Sequence, residues 1–201
     1  VDSLPASRIV LAVNYRPEYR HGWANKTYYR QIRIDPLPPA SAEVLLDALL
    51  GADPGMQSLK RLLIERTAGS PLFLEESVRT LVETRALVGE RGAYRLVQAP
   101  DTLQVPATVQ AIIAARIDRL DAQEKRLLQA AAVVGTHVPF NLLRAVVEID
   151  EEALRRSLAQ LQTAEFVYEA QLFPDLEYAF KHALTHEVAY GSVLLDRRRA
   201  L

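Results

Sequence analysis

The sequence has no cysteine and only one methionine and one tryptophan among 201 residues. Without a thiol there is no disulfide, no thiolate zinc site and no cysteine nucleophile, a composition that suits a reducing cytoplasm. No apolar run approaches the roughly 20 residues needed to cross a bilayer, and the first residues carry no signal-peptide pattern. The expectation is a cytoplasmic protein with no membrane partner. Charge of one sign is also lacking: 24 Lys and Arg against 25 Asp and Glu leave a formal net charge of −1. No global field therefore draws the chain toward nucleic acid, although residues 1–40 are locally basic. Two phosphate-handling elements are missing as well. There is no GxxxxGK[ST] loop, and no apolar strand ends in paired acidic residues that would hold Mg²⁺. Nucleotide hydrolysis by this chain alone is not expected.

What is present is an ordinary globular composition, 49% hydrophobic and 24% charged, enough for one large or two small domains. Arg8–Asn14, RIVLAVN, reads as a strand buried on both faces of a parallel sheet. Tyr28–Ile34, YYRQIRI, alternates like a second strand, with DPLPP as a stiff exit. Two strands do not make a stable sheet. A start at Val1 rather than Met, so close to a strand, points to a piece of a longer protein whose remaining strands lie upstream.

From Ser41 the pattern turns helical. One helix carries Val44, Leu45, Leu46, Leu49 and Leu50 and closes at GADPG; a second runs from about Met56 to Gly69. A third starts at Pro71 and ends near Arg85, followed by a small hairpin around Gly89–Gly92 and an extended connector over 98–105. Pro106 opens a helix with Val109, Ile112, Ile113, Ile117 and Leu120 on one stripe and Arg116 and Arg119 off it. Asp121 and Glu124 start the next helix, which stops at Gly135; Pro139–Val147 and a helix capped by Asp150 follow. Strands over 166–169 and 177–180 flank a Phe173-Pro174-Asp175 turn, so three helices and a two-stranded wing make a winged-helix domain. A last helix starts at about His182 and leads into an Arg-rich end.

Three places can carry chemistry. In RTAGSPLFLEE, Gly69 can adopt the left-handed conformation that ends one helix, Ser70 can cap the next, and Pro71 takes its first position. The resulting corner is either an ordinary helix joint or, through its free N–H groups and flat proline ring, a grip for a planar or anionic ligand. Arg16 follows the first strand at its carboxyl end, where open α/β sheets bind ligands; its guanidinium either reaches a γ-phosphate or pairs with Glu18 at the surface. His182 sits where the second wing strand meets the last helix, placed either for an anion or to cap its own backbone. His182 and His186 share an i, i+4 face, but the intervening Ala183–Thr185 lacks the glutamate of HExxH, and no third metal ligand is placed by sequence. On the winged helix, Arg144, Arg155 and Arg156 are outnumbered by Glu148, Asp150, Glu151 and Glu152, which disfavours DNA.

The blocks VNYRPEY, GSPLFLEE and FKHALTHEVAY, in that order, resemble the ATPase module of STAND-class (AAA-type) signal-transduction ATPases. The nearest resemblance is to bacterial class III adenylate/guanylate cyclases that carry such a module before helical repeats. The resemblance runs over essentially the whole chain and matches the C-terminal part of the module. It implies a mainly α fold with minor β: the last strands of a P-loop α/β sheet (1–39), a helical lid with a small hairpin (40–104), a linker helix and winged-helix domain (105–196), and the start of a helical region (197–201). It implies that Arg16 is the sensor-1 arginine, that Gly69 and Pro71 lie against adenine, and that His182 contacts the β-phosphate of ADP. Ser70 stands where the family more often has Asn. ATP and ADP would be the ligands, with Mg²⁺ held outside this chain. The partners would be the upstream P-loop half, the output domain and the helical repeats of the parent. Nothing here carries the metal-binding aspartates of a cyclase.

Overall fold

The computed structural model describes residues 4–15, 19–97, 103, 105–173 and 175–194. It is mainly helical with two small sheets and divides into a unit of residues 1–35 and a unit of residues 36–201. No helix among the described residues is long and apolar enough to cross a membrane.

The two strands expected in the first unit do not form. Its one regular element among the described residues is a 3-10 turn at Leu4–Ala6. Val10 and Ile34 are each 94% exposed and Ile32 is 86% exposed, so these apolar runs are not the buried strands that their pattern predicts. A strand holds its backbone only by pairing, and no partner for either run is present among the described residues. What organises this unit is an aromatic cluster. The hydroxyls of Tyr15 and Tyr29 lie 2.6 Å apart, His21 Nε2 lies 2.9 Å from the Tyr15 hydroxyl, and the His21 ring stacks on Trp23.

The second unit holds two apolar cores. The first belongs to α1 (Pro39–Leu50), α2 (Gln57–Thr67), α3 (Pro71–Glu83) and the hairpin β1 (Leu87–Val88) and β2 (Arg95–Leu96). Helix α1 begins two residues earlier than Ser41, because Pro39 at its first position has no N–H to leave unpaired. Lys60, only 2% exposed, donates from Nζ to Asp47 and to the carbonyl of Gly51 at 2.8 Å, tying α2 to the end of α1. A buried ammonium needs such partners to offset its lost hydration.

The second core belongs to α4 (Val109–Arg119), α5 (Ala122–Val134), β3 (His137–Pro139), α6 (Phe140–Val146), α7 (Glu151–Thr163), β4 (Val167–Gln171), β5 (Glu177–Phe180) and α8 (Ala183–Gly191). Asp121 caps α5 by accepting from the Gln123 and Glu124 N–H groups, and Asp150 caps α7 by accepting from Ala153. Thr108, rather than Pro106, opens α4 by accepting from Ala111. The sheet is three-stranded and antiparallel in the order β3-β5-β4, with Val138 opposite Tyr178 and Tyr168 opposite Ala179. Strand β3 is absent from the sequence reading, where its three residues fall between a glycine stop and a helix start and are too few to show a period.

The corner forms between α2 and α3. Ala68 takes the left-handed cap position, and Gly69 follows at φ +74°. A Cβ on Gly69 would meet the Leu37 carbonyl oxygen at 2.1 Å, while the Leu37 N–H donates to the Gly69 carbonyl at 2.9 Å. The glycine is therefore required twice, by its φ and by the backbone laid across it. Gly69→Ala is expected to lower unfolding free energy by at least about 2 kcal/mol in urea denaturation; a native midpoint would contradict this account of the corner.

Candidate functional site

Three of the four residues singled out by sequence fall within the described structure; Arg16 lies outside it, as do its neighbour Glu18, most of the 98–105 connector, Pro174 and Arg197–Arg199. Gly69 is buried at the corner and Pro71 is exposed at the first position of α3. Ser70 takes the cap position, but its hydroxyl makes no capping bond. The first turn of α3 is thus uncapped by any side chain beside an exposed proline ring. That suits a flat or anionic ligand.

His182 is the cap residue of α8, with extended backbone and a half-buried ring that makes no capping bond, so the self-capping alternative is not formed. Burial lowers its pKa below the ordinary value of 6.5; the charges of Glu76 and Glu75 raise it, and those of Lys181 and Arg79 lower it. Glu75, Glu76 and Arg79 all lie on α3, the helix that Pro71 opens. The ring of His182 therefore sits in the electrostatic reach of the corner helix. Its i, i+4 companion is engaged elsewhere: His186 Nε2 lies 2.9 Å from the Ala132 carbonyl, and its ring meets Phe180 edge-on. Among the described residues no group of three His, Asp or Glu side chains is placed to hold a metal ion.

The centre of this region was not anticipated from the sequence. Glu76 on α3 is 2% exposed and Arg116 on α4 is 3% exposed. Arg116 Nη1 donates to Glu76 at 2.5 Å, Nε donates to Glu83 at 2.8 Å, and Nη2 donates to the Ala164 carbonyl at 2.7 Å. The guanidinium also lies 4.6 Å from the ring centre of Phe166. Arg116 thus joins α3 to the turn between α7 and β4, and it is not off the buried stripe as the sequence reading has it. Beside it, Glu165 takes ion pairs from both Arg79 and Lys181. Burial, then the charge of Arg116, lowers the pKa of Arg79; burial also lowers that of Lys181. A cleft of about 510 Å³ runs along this seam, lined by Arg79, Glu83, Tyr94, Glu124, Glu165 and Lys181 among others.

A period count carries the missed signal. Positions 109, 112, 113, 116, 117 and 120 follow the i, i+3, i+4, i+7 spacing of a buried face, and so do 73, 76, 77 and 80 on α3. A charged residue at such a position needs a buried partner, and the two found each other.

On α7 and α6 the cations are engaged by acids. Arg144 and Arg155 both pair with Glu151, at 2.9 and 2.7 Å, and Arg156 approaches Glu152 at 3.5 Å. The side-chain hydrogen bonds from Arg155 and Arg144 lower the pKa of Glu151. Arg155 also covers the Phe140 ring at 4.5 Å.

No family model matches the chain, and no solved structure does. It is 26% identical over 197 residues to an uncharacterized protein of Rhizobium meliloti (strain 1021), a match that covers 96% of this chain and 18% of that protein. The chain therefore spans less than a fifth of the length of this relative.

The depressed pKa of His182 has a definite sign in stability. The unfolded chain binds the proton more readily than the folded one, so the stabilising effect of the neutral ring is complete above about pH 6.5 and is lost as pH falls through the folded value. Urea midpoints measured from pH 7.5 to 5.0 are expected to fall less steeply in His182→Gln than in the native chain. Equal slopes would show that the ring is not held neutral by burial.

Proposed function

We propose that this chain is the lid and winged-helix half of a nucleotide-dependent regulatory switch in a multidomain signalling protein, of the STAND-class ATPase type. In this reading it clamps ADP against an upstream P-loop half and controls an output domain such as an adenylate cyclase. The observation that carries the reading is that Pro71 and three of the four charges acting on His182, those of Glu75, Glu76 and Arg79, belong to one helix, α3, the fourth being its neighbour Lys181. The helix thereby links the adenine-side corner to the phosphate-side histidine. The element order helix, strand, helix, helix, strand, strand from α5 to β5, with β3 on the far side of β5 from β4, supports a winged helix. The match to a short stretch of a much longer protein supports a module within a larger chain.

The residues present suit ADP. Pro71 offers an exposed ring for the base, and the first turn of α3 offers backbone N–H groups. His182 is neutral without a ligand and gains a proton beside a phosphate, which turns an ordinary hydrogen bond into a charge-assisted one. Arg16 would report the γ-phosphate, and Mg²⁺ would be held by residues outside this chain. Exchange of ADP for ATP would remove the His182 contact and shift the population toward a state in which the winged helix moves away from the nucleotide. The winged helix as a DNA reader is disfavoured, because Arg144, Arg155 and Arg156 are already occupied by Glu151 and Glu152.

ADP titration of two proteins tests the proposal: this chain, and the same chain extended upstream to include a P-loop half. Tight binding is expected only in the longer one. His182→Ala in that protein is expected to lose about 1.5 to 3 kcal/mol of ADP affinity, roughly tenfold to over a hundredfold. Unchanged affinity in the variant, or no binding in either protein, would sink the assignment.

A further inference from the structure

We propose that Arg79, Lys181 and Arg91 form a binding site for a phosphate monoester, and that Glu165 fills the anion position while no ligand is bound. The site is independent of the nucleotide reading, since neither Pro71 nor His182 lines the cleft in which these residues lie. One carboxylate oxygen is its centre. Glu165 Oε2 takes the ion pair from Arg79 Nη2 on α3 and also the one from Lys181 Nζ, which directly follows β5. The oxygen thus sits between two cations from separate elements, as an oxygen of a bound phosphate does. The side chains of Arg79, Lys181 and Glu165 are 21%, 36% and 37% exposed, so solvent reaches the group.

A carboxylate serves these cations incompletely. Arg79 Nη1 is buried without a hydrogen-bond acceptor and lies 3.6 Å from Glu76, beyond hydrogen-bond reach. Glu165 itself is held at φ +57°, a left-handed conformation that a glutamate adopts at some cost. The third cation has no acid at all. Arg91 is exposed in the turn between β1 and β2, lines the same cleft, and pairs with no carboxylate among the described residues. Burial, then the charges of Arg79 and Arg91, lowers the pKa of Lys181 against the pull of Glu75 and Glu76, so these cations feel one another. The turn that bears Arg91 is fixed to the end of α1. The Gly92 N–H donates to the Leu49 carbonyl at 2.9 Å, the Tyr94 N–H donates to that of Leu50 at 3.0 Å, and a Cβ on Gly51 would meet the Gly92 carbonyl oxygen at 2.4 Å.

Other acids line the cleft but are engaged elsewhere. Glu83 accepts from Arg116 at 2.8 Å, and Glu124 bonds back to Asp121 at the start of α5. Glu165 and Glu75 remain against three cations. A ligand carboxylate would bring only what Glu165 already supplies. A phosphate monoester brings a second negative charge and a third free oxygen, so that Arg79, Lys181 and Arg91 need not share one atom. The cleft of about 510 Å³ is larger than a bare phosphate and within the range of small-molecule sites, and Val78, Val82 and Tyr94 offer a wall for the organic part.

Isothermal titration calorimetry of the 201-residue chain with inorganic phosphate and with phenyl phosphate, at an ionic strength held constant with sodium chloride, tests the site. Glu165→Asn removes the competing carboxylate and suits the turn, because asparagine enters the left-handed region readily. Glu165→Gly does the same should the first variant fail to fold. Either variant is expected to bind phenyl phosphate at least about tenfold more tightly than the native chain does, and more tightly than it binds inorganic phosphate. Adding Arg91→Ala is expected to weaken that binding at least about fivefold. Affinity in the Glu165 variant no higher than in the native chain, or unchanged by Arg91→Ala, overturns the site. Equal affinity for the two probes overturns the ester assignment. Because neither ADP nor a P-loop half takes part, a wrong nucleotide assignment leaves these outcomes untouched.

Discussion

Arg116 cannot give up its charge and has given up nearly all of its water, so three acceptors and an aromatic face must replace that hydration at once. Those acceptors come from two places that sequence separates widely: the carboxylates of α3 and the carbonyl that ends α7. The relative placement of the two apolar cores follows from meeting that requirement. An isolated ion pair at the surface would impose no such condition. A guanidinium that donates from each of its three nitrogens does, because each donor fixes both a distance and a direction.

The same helix, α3, serves three ends. Its first residue, Pro71, completes the corner; its second turn supplies Glu76 to Arg116 and bears on His182; its last turn supplies Glu83. Any ligand that presses on the corner and His182 together therefore acts on the helix that carries the ionic seam. A push at the corner is thereby carried to the turn between α7 and β4 through one rigid element rather than a chain of weak contacts. Gly69 fastens the near end of that element by accepting the Leu37 backbone in a space no side chain can share.

Much of this was legible in advance. The corner, the hairpin around Gly89–Gly92, the Asp121 and Asp150 caps and strand β5 follow from local signals whose physics is local: a positive φ, a capped first turn, an alternating run. The misses have non-local causes. The apolar runs at Arg8–Asn14 and Tyr28–Ile34 read as strands because a strand is recognised by its side chains, but it is held by partners the pattern does not contain. Arg116 is placed off the buried stripe by its type and Glu76 is not singled out, although their positions in the helical period put both inside; their buried bond joins residues 40 apart in the chain, which no local pattern contains. The His182 ring was legible as a candidate, while its lowered pKa comes from burial, against the opposing pull of the α3 carboxylates Glu76 and Glu75, which no spacing reveals.

The most direct measurement is a double-mutant cycle on Arg116 and Glu76, using urea unfolding of Arg116→Met, Glu76→Gln and the pair. If this buried ion pair fixes how the two cores meet, the coupling free energy is at least about 2 kcal/mol, even though Arg116 keeps Glu83 and the Ala164 carbonyl and Glu76 keeps Arg79 at 3.6 Å, because either single change takes the closest counter-charge from a buried group and the second change then costs little. A coupling below about 0.5 kcal/mol would mean that the two residues are independent, and the seam would have to be held by something else.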